Sequence, residues 1–297
     1  MDRLLRGLDA DKAIRVVTAV TTGLVREAAR RHGLRGAAAV LLGRGLTAGC
    51  LLTTLTKRDD ERVRIAMHAD GPLGRVLVDA HGDGRVRGCF LTERASKVHV
   101  HVEPGRASVG SMVGSGQITV TRDLGLENTY QGVVALRSGE LDEDLERYLS
   151  DSEQLPSVLR CHVVVDPDGE VVRAAGVLAQ TFPGSEPERL DRLREALGSE
   201  GFVDVLRHDR SPAELMGFAL GGEDFHTMEE PTTLRFACEC GPQRALAVVS
   251  TLGAEDIDAL ADERGGTDVR CNYCGDSYAL TAAELRELAE QLREQRS

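Results

Sequence analysis

The 297-residue chain has no tryptophan, and aromatic side chains make up only 3% of it. A surface that works by stacking nucleobases on aromatic rings is not built into such a composition. Proline is scarce at 9 residues, and the 32 glycines follow no period, which excludes collagen. A hydrophobic content of 41% excludes low-complexity disorder. No GxxxxGK[ST] phosphate loop occurs, so ATP-driven work is not expected. Basic residues are outnumbered by acidic ones, 36 to 48. The formal net charge of −12 argues against nucleic acid or an anionic membrane as the main partner. The N-terminal run Met1–Arg6 interleaves Asp2 with Arg3 and Arg6 and lacks the apolar core of a secretory signal, so a cytosolic location is expected.

The charge is unevenly placed. Residues 1–185 hold 24 basic and 24 acidic side chains, whereas the remainder holds 12 and 24. A balanced N-terminal part is thus followed by an acidic C-terminal part, an asymmetry that suits two different jobs. A chain of this length is expected to form two or three domains.

The N-terminal part predicts a mixture of strands and helices. Ala13–Thr21 is β-branched and apolar throughout, as a buried strand requires. Leu24–Arg31 and Ala37–Leu55 predict helices, with Gly33 and Gly36 as the break between them. The longest apolar stretch, Gly36–Thr56, is interrupted by Arg44 and reads as a buried helix rather than a membrane span. Val63–His68, Arg75–Asp79 and Arg85–Leu91 predict a strand meander with turns at Asp70-Gly71-Pro72 and Gly82-Asp83-Gly84. Strands at Gln117–Thr121 and Gly132–Leu136 follow, then an acidic helix over Leu141–Tyr148. Val158–Val165 and Glu170–Ala179 close the part as a hairpin around Asp166-Pro167-Asp168-Gly169. Strands and helices come in blocks, so the fold class is α+β: an N-terminal mixed α/β-sheet domain over 1–181, a helical linker over 182–231 and a small C-terminal domain over 232–297.

The linker opens at Phe182-Pro183-Gly184. Ser185 with Glu188 predicts a capping box before a helix carrying Leu190, Leu193 and Leu197. Ser211-Pro212-Ala213-Glu214 predicts a second, apolar at Leu215, Met216, Phe218 and Leu220 and ended by Gly221-Gly222. Neither helix can form a core alone, so each must pack on a neighbour. The C-terminal domain reads as a strand, a CxC, a helical pair, a CxxC and a capped helix from Thr281.

Seven cysteines fall into two groups. Cys50, Cys89 and Cys161 stand alone in apolar segments and read as small buried hydrophobes. Cys238, Cys240, Cys271 and Cys274 form two closely spaced pairs, with 30 residues between Cys240 and Cys271. Two such pairs supply four ligands for one tetrahedral Zn²⁺. One residue between Cys238 and Cys240 allows a disulfide there only near the upper limit of reach. Arg235, Arg244 and Arg270 flank the ligands and would favour thiolate, the form that oxidants attack. On spacing alone a structural zinc site is the preferred reading over a redox-active one.

The remaining motifs are weaker. Gly43-Arg44-Gly45 with Gly49 reads as helix packing rather than a dinucleotide fingerprint. His99 and His101 share a strand face but have no third ligand. Glu140, Asp142, Glu143, Asp144 and Glu146 read as a solvated helix face. No nucleophile–base constellation supports an enzyme.

The whole chain resembles the redox-regulated 33-kDa heat-shock chaperonin family. The resemblance lies in Gln117–Gly125 (QITVTRDLG), Tyr130-Gln131-Gly132, Ser152-Glu153-Gln154-Leu155-Pro156, Ala174-Ala175-Gly176 with Gln180, and CxC…CxxC followed by Tyr278. Thr129, where proline is frequent, and Val177, where glycine is frequent, depart from the family pattern away from the cysteines. The resemblance implies a cytosolic, nucleotide-independent holdase of the stress response. In the reduced, inactive state Cys238, Cys240, Cys271 and Cys274 bind one zinc. Oxidation is then implied to form Cys238–Cys240 and Cys271–Cys274, release the metal and unfold the C-terminal domain and linker. Client proteins would be held by the linker, through faces carrying Leu190, Leu193, Leu197, Leu215, Met216, Phe218 and Leu220, often in a homodimer. A static zinc-ribbon adaptor and a thiol oxidoreductase using Cys271 and Cys274 are the alternatives. No βαβ context surrounds that pair, which disfavours the latter.

Overall fold

Strands Arg3–Asp9 (β1) and Ile14–Val20 (β2) form an antiparallel hairpin whose turn is closed by Asp9, which accepts hydrogen bonds from the amides of Ala13 and Ile14. Helices Thr22–His32 (α1) and Gly36–Leu52 (α2) follow. The computed structural model describes residues 1–56, 58–92, 95, 98, 108–125, 129–182 and 187–294. His99, His101, Ser185 and the Pro183-Gly184 punctuation lie outside the described residues.

The predicted meander is present as Arg62–Ala69 (β3), Arg75–His81 (β4) and Arg85–Phe90 (β5), each antiparallel to the next. A short helix, Gly110–Val113 (α3), precedes Gly116–Asp123 (β6) and Tyr130–Ala135 (β7). Helix Leu141–Asp151 (α4) leads into the hairpin Ser157–Val165 (β8) and Val171–Thr181 (β9). Three helices come next, Pro187–Gly198 (α5), Glu200–Arg207 (α6) and Pro212–Ala219 (α7). The short strands Phe225–Thr227 (β10), Thr232–Thr233 (β11) and Arg235–Phe236 (β12) complete the first of two compact units, Met1–Ala237.

Two sheets result. One runs β10-β1-β2-β9-β8, with β11 also on β1; the other runs β12-β5-β4-β3-β6-β7. Helix α2 touches β8 and β9 of the first and β4 and β5 of the second, and every one of its residues is buried. Small residues make this possible. A Cβ on Gly43 would fall 2.6 Å from Val25 and 2.8 Å from Val163, and one on Gly49 would fall 2.9 Å from Val78. The glycines of α2 are there for packing, as their position inside a helical pattern suggested. The stretch is long and apolar enough to cross a membrane by composition, but its burial is that of a core helix.

The acidic helix α4 corrects its sequence reading. Glu140, Asp142 and Asp144 are buried rather than solvated. The reason is β8, an edge strand with amides facing away from its single neighbour. Asp142 accepts from the Cys161 amide at 3.0 Å and Glu146 from the Leu159 amide at 3.0 Å. Asp144 accepts from the amides of Arg137 and Gly139. Glu140 accepts from Ser108 Oγ and the amides of Val109 and Gly110, and it pairs with Arg44, which is 1% exposed. These carboxylates supply the acceptors that a sheet edge and a helix N-terminus lack.

Helices α5–α7 cover the outer face of the first sheet. Leu190, Leu193, Leu197, Phe202, Leu206, Leu215, Met216 and Leu220 form one buried cluster with Leu5, Ile14, Val16, Val158, Ala175, Val177 and Ala179. Phe218 is only half-buried and stacks on Phe202 with ring centroids 5.5 Å apart. Helix α6 was not foreseen, although Ser199 caps it through the Phe202 amide. The helix expected to open at Ser211 is formed, and Ser211 with Glu214 makes a capping box.

The second unit, Cys238–Ser297, contains helices Pro242–Val249 (α8) and Ala254–Arg264 (α9), the hairpin Gly266–Arg270 (β13) with Ser277–Thr281 (β14), and helix Ala282–Glu294 (α10). Residues 232–237 lie in the first unit because β11 and β12 bond to β1 and β5. Glu140→Ala would leave Arg44 buried without its carboxylate and should cost about 3–5 kcal/mol in denaturant unfolding. Arg44→Met combined with Glu140→Gln should recover most of that loss; no recovery would mean that the pair is not the source.

Candidate metal centre

The second unit has a small core. Its fully buried apolar residues are Ala245, Val249, Ile257, Ala261, Leu280, Leu285 and Ala289, three of them alanines. The cysteines sit where two local structures end. Cys238 and Cys240 precede Gly241, the N-cap of α8, and Pro242 at its first turn fixes where the helix begins. Cys271 and Cys274 lie in the loop of the β13–β14 hairpin. The Cys271 amide bonds to Asp276 O and the Gly275 amide to Cys271 O, both at 2.8 Å. Gly275 takes φ +79°, the left-handed conformation that lets this tight turn close.

These two local structures bring four sulfurs together, all within 4.8 Å of one another. Cys238 Sγ lies 3.6 Å from Cys271 Sγ, and Cys240 Sγ lies 3.1 Å from Cys274 Sγ. Zn–S bonds of about 2.3 Å in a tetrahedron place sulfurs about 3.8 Å apart, so the donor set fits one zinc ion in number, chemistry and spacing. Cys274 is buried and the other three are partly exposed. Each of these two contacts joins one pair to the other.

Burial pushes the Cys238 thiol up, and it pushes Cys274 up further. Partial burial acts on Cys240 in the same direction, but hydrogen bonds from Tyr278, Cys274, Cys238 and Cys271 outweigh it and hold this thiol below its ordinary range. Tyr278 Oη stands 3.0 Å from Cys240 Sγ. That bond raises the tyrosine, as expected for a donor that must keep its proton.

Of the flanking arginines, Arg244 pairs with Glu239 at 3.0 Å and Arg270 donates to Gly275 O at 3.2 Å. Arg235 is in β12, where it pairs with Asp83 at 3.5 Å. Their charges have carboxylate or carbonyl partners close by, and the thiol tuning comes instead from burial, from Tyr278 and from the other sulfurs. Sequence reasoning used Tyr278 only as a family marker; its place four residues after Cys274, on a strand leaving the loop, was the available signal. Cys50, Cys89 and Cys161 are buried in the first unit as expected.

The family model described as Hsp33 protein matches residues 2–281. The chain is 37% identical to the 33 kDa chaperonin of Symbiobacterium thermophilum, covering 99% of both, and 35% identical to that of Geobacter sulfurreducens, covering 98% of this chain and 96% of the relative. The crystal structure of the 33 kDa chaperonin from Thermotoga maritima superposes with a TM-score of 0.86 at 28% identity, covering 99% of both chains.

Reduced protein should carry one zinc per chain by elemental analysis. Because thiols pushed up by burial must lose protons to bind, the apparent affinity should rise more than about tenfold per pH unit near neutrality in a chelator competition. A pH-independent affinity would contradict coordination by these thiols.

Proposed function

The chain belongs to the Hsp33 family, and we propose that it is a chaperone whose holdase activity is switched by oxidation and needs no nucleotide. Zinc, when bound, keeps four sulfurs as thiolates and ties the CxC segment to the CxxC loop. The single observation that carries the proposal is this metal-ligating set in a unit whose own core is too small to hold it. A core of fewer than about 70–80 residues rarely supplies more than about 3–5 kcal/mol, whereas a structural zinc contributes about 10–16 kcal/mol.

Oxidants convert the thiolates to disulfides, Cys238 with Cys240 and Cys271 with Cys274, and the sulfurs then lose their hold on the metal. The second unit unfolds from Cys238 onward. Unfolding reaches the first unit through a short connection, because Ala237 still bonds to Val86 O at 2.9 Å and is followed at once by Cys238. The strands ahead of it are weak attachments: β12 and β11 have two residues each and β10 has three. Their loss frees the segment 182–231. Leu190, Leu193, Leu197, Leu215, Met216, Phe218 and Leu220 then become available to unfolding proteins, in a homodimer. The site of action is the cytoplasm, and neither nucleic acid nor membrane takes part.

Oxidised protein should suppress aggregation of a heat-denatured client without nucleotide, and reduced protein should not. Equal activity in both states would leave a chaperone without redox control. Undocking the helices without touching a cysteine should bypass the switch. Leu215 is fully buried, and Leu215→Asp places a carboxylate among apolar side chains, removing about 1.5–3 kcal/mol of burial and adding the cost of an unpaired charge. The reduced variant should hold clients with zinc still bound; a zinc-loaded variant with exposed α7 amides and no activity would show that release of α7 is insufficient.

A further inference from the structure

One side-chain hydroxyl reaches the sulfur cluster: Tyr278 Oη stands 3.0 Å from Cys240 Sγ. Tyr278 is the second residue of β14, in register with Val269 of β13, and its ring rests half-buried against the small core. Its hydroxyl is therefore held over Cys240 by a paired strand rather than by a loop.

From this arrangement we infer that Tyr278 is a positioning residue that sets how readily the metal centre responds to oxidant. The inference rests on the zinc reading above and adds to it the group that restrains one ligand. A metal-bound Cys240 has no proton, so the tyrosine must be the donor, in a charge-assisted bond. Such a bond draws electron density from the sulfur and occupies a lone pair. Partners in this outer position typically change metal affinity by about 10–100-fold.

The same lone pair carries out the oxidation. When the sulfur attacks a peroxide oxygen through that lone pair, a sulfur–oxygen bond forms as the oxygen–oxygen bond breaks, and hydroxide leaves to become water on taking a proton. The sulfur is left as a sulfenic acid. A neighbouring thiolate then displaces hydroxide from it, forming the sulfur–sulfur bond. Each sulfur has lost one electron, and the peroxide has gained two. Tyr278 competes for the lone pair in the first step and so slows it.

The test is Tyr278→Phe in the full-length reduced chain, which keeps the ring and removes only the donor. Zinc affinity by chelator competition should fall about tenfold, and zinc release at fixed peroxide should speed up by a similar factor. In cobalt-substituted protein the sulfur-to-cobalt charge-transfer band should move to lower energy, because the sulfur becomes more electron-rich. Leu280→Ala loosens the same core without touching the bond and should leave the band in place. A variant with wild-type affinity, release rate and band overturns this inference alone. A wild type that takes up neither zinc nor cobalt overturns the zinc reading and this inference with it.

Discussion

Four sulfurs held within 4.8 Å of one another are the constraint on which the second unit depends. Cys238–Ser297 has a core with Ala245, Ala261 and Ala289 at buried positions, and alanine contributes little burial. Helix α8 packs on β14 through the small core, and the cysteines at the start of α8 and in the β13–β14 loop meet beside it, so the ligand set is a second link between them. A unit with so small a core gains most from a metal cross-link. A zinc–thiolate cross-link is also one that an oxidant can remove, and this makes a structural site usable as a sensor.

The first unit has the opposite character. Helix α2 is buried along its whole length between two sheets, close-packed through Gly43 and Gly49. Several of the unit's buried polar groups are paired: Arg44 with Glu140, and the edge amides of Cys161 and Leu159 in β8 with Asp142 and Glu146. Helices α5–α7 belong to this unit by packing, and the segment that follows them is attached by short edge strands, by Leu234 in the core and by Phe236 packed against it. A closely packed two-sheet platform, a helical cover and a small cysteine-bearing unit follow one another along the chain.

Much of this was legible in the sequence, and the failures have physical causes. The meander, the β8–β9 hairpin, the buried helix with its glycines and the cysteine quartet are written in local pattern: alternation, turn residues and spacing. The acidic helix misled because Asp142 and Asp144 look like solvent-facing charge until the edge of β8 is placed beside them. Helix α6 was hidden because Gly201 follows the Ser199 cap and masks the Phe202, Val203 and Leu206 face. The hairpin that carries Cys271 and Cys274 was missed because its strands are short and half-exposed. Tyr278 could be seen as a recurrent residue, but its bond to Cys240 depends on the fold of the CxxC loop.

The central claim is that the metal-held fold of the second unit keeps α5–α7 docked on the first sheet. Hydrogen–deuterium exchange on reduced protein, before and after a chelator strips the metal, tests it without any oxidation. The account predicts that amides in 242–294 lose protection and that those in 187–220 lose it with them, while α2, β2 and β9 stay protected. Loss of protection confined to 242–294, with 187–220 unchanged, would contradict the coupling.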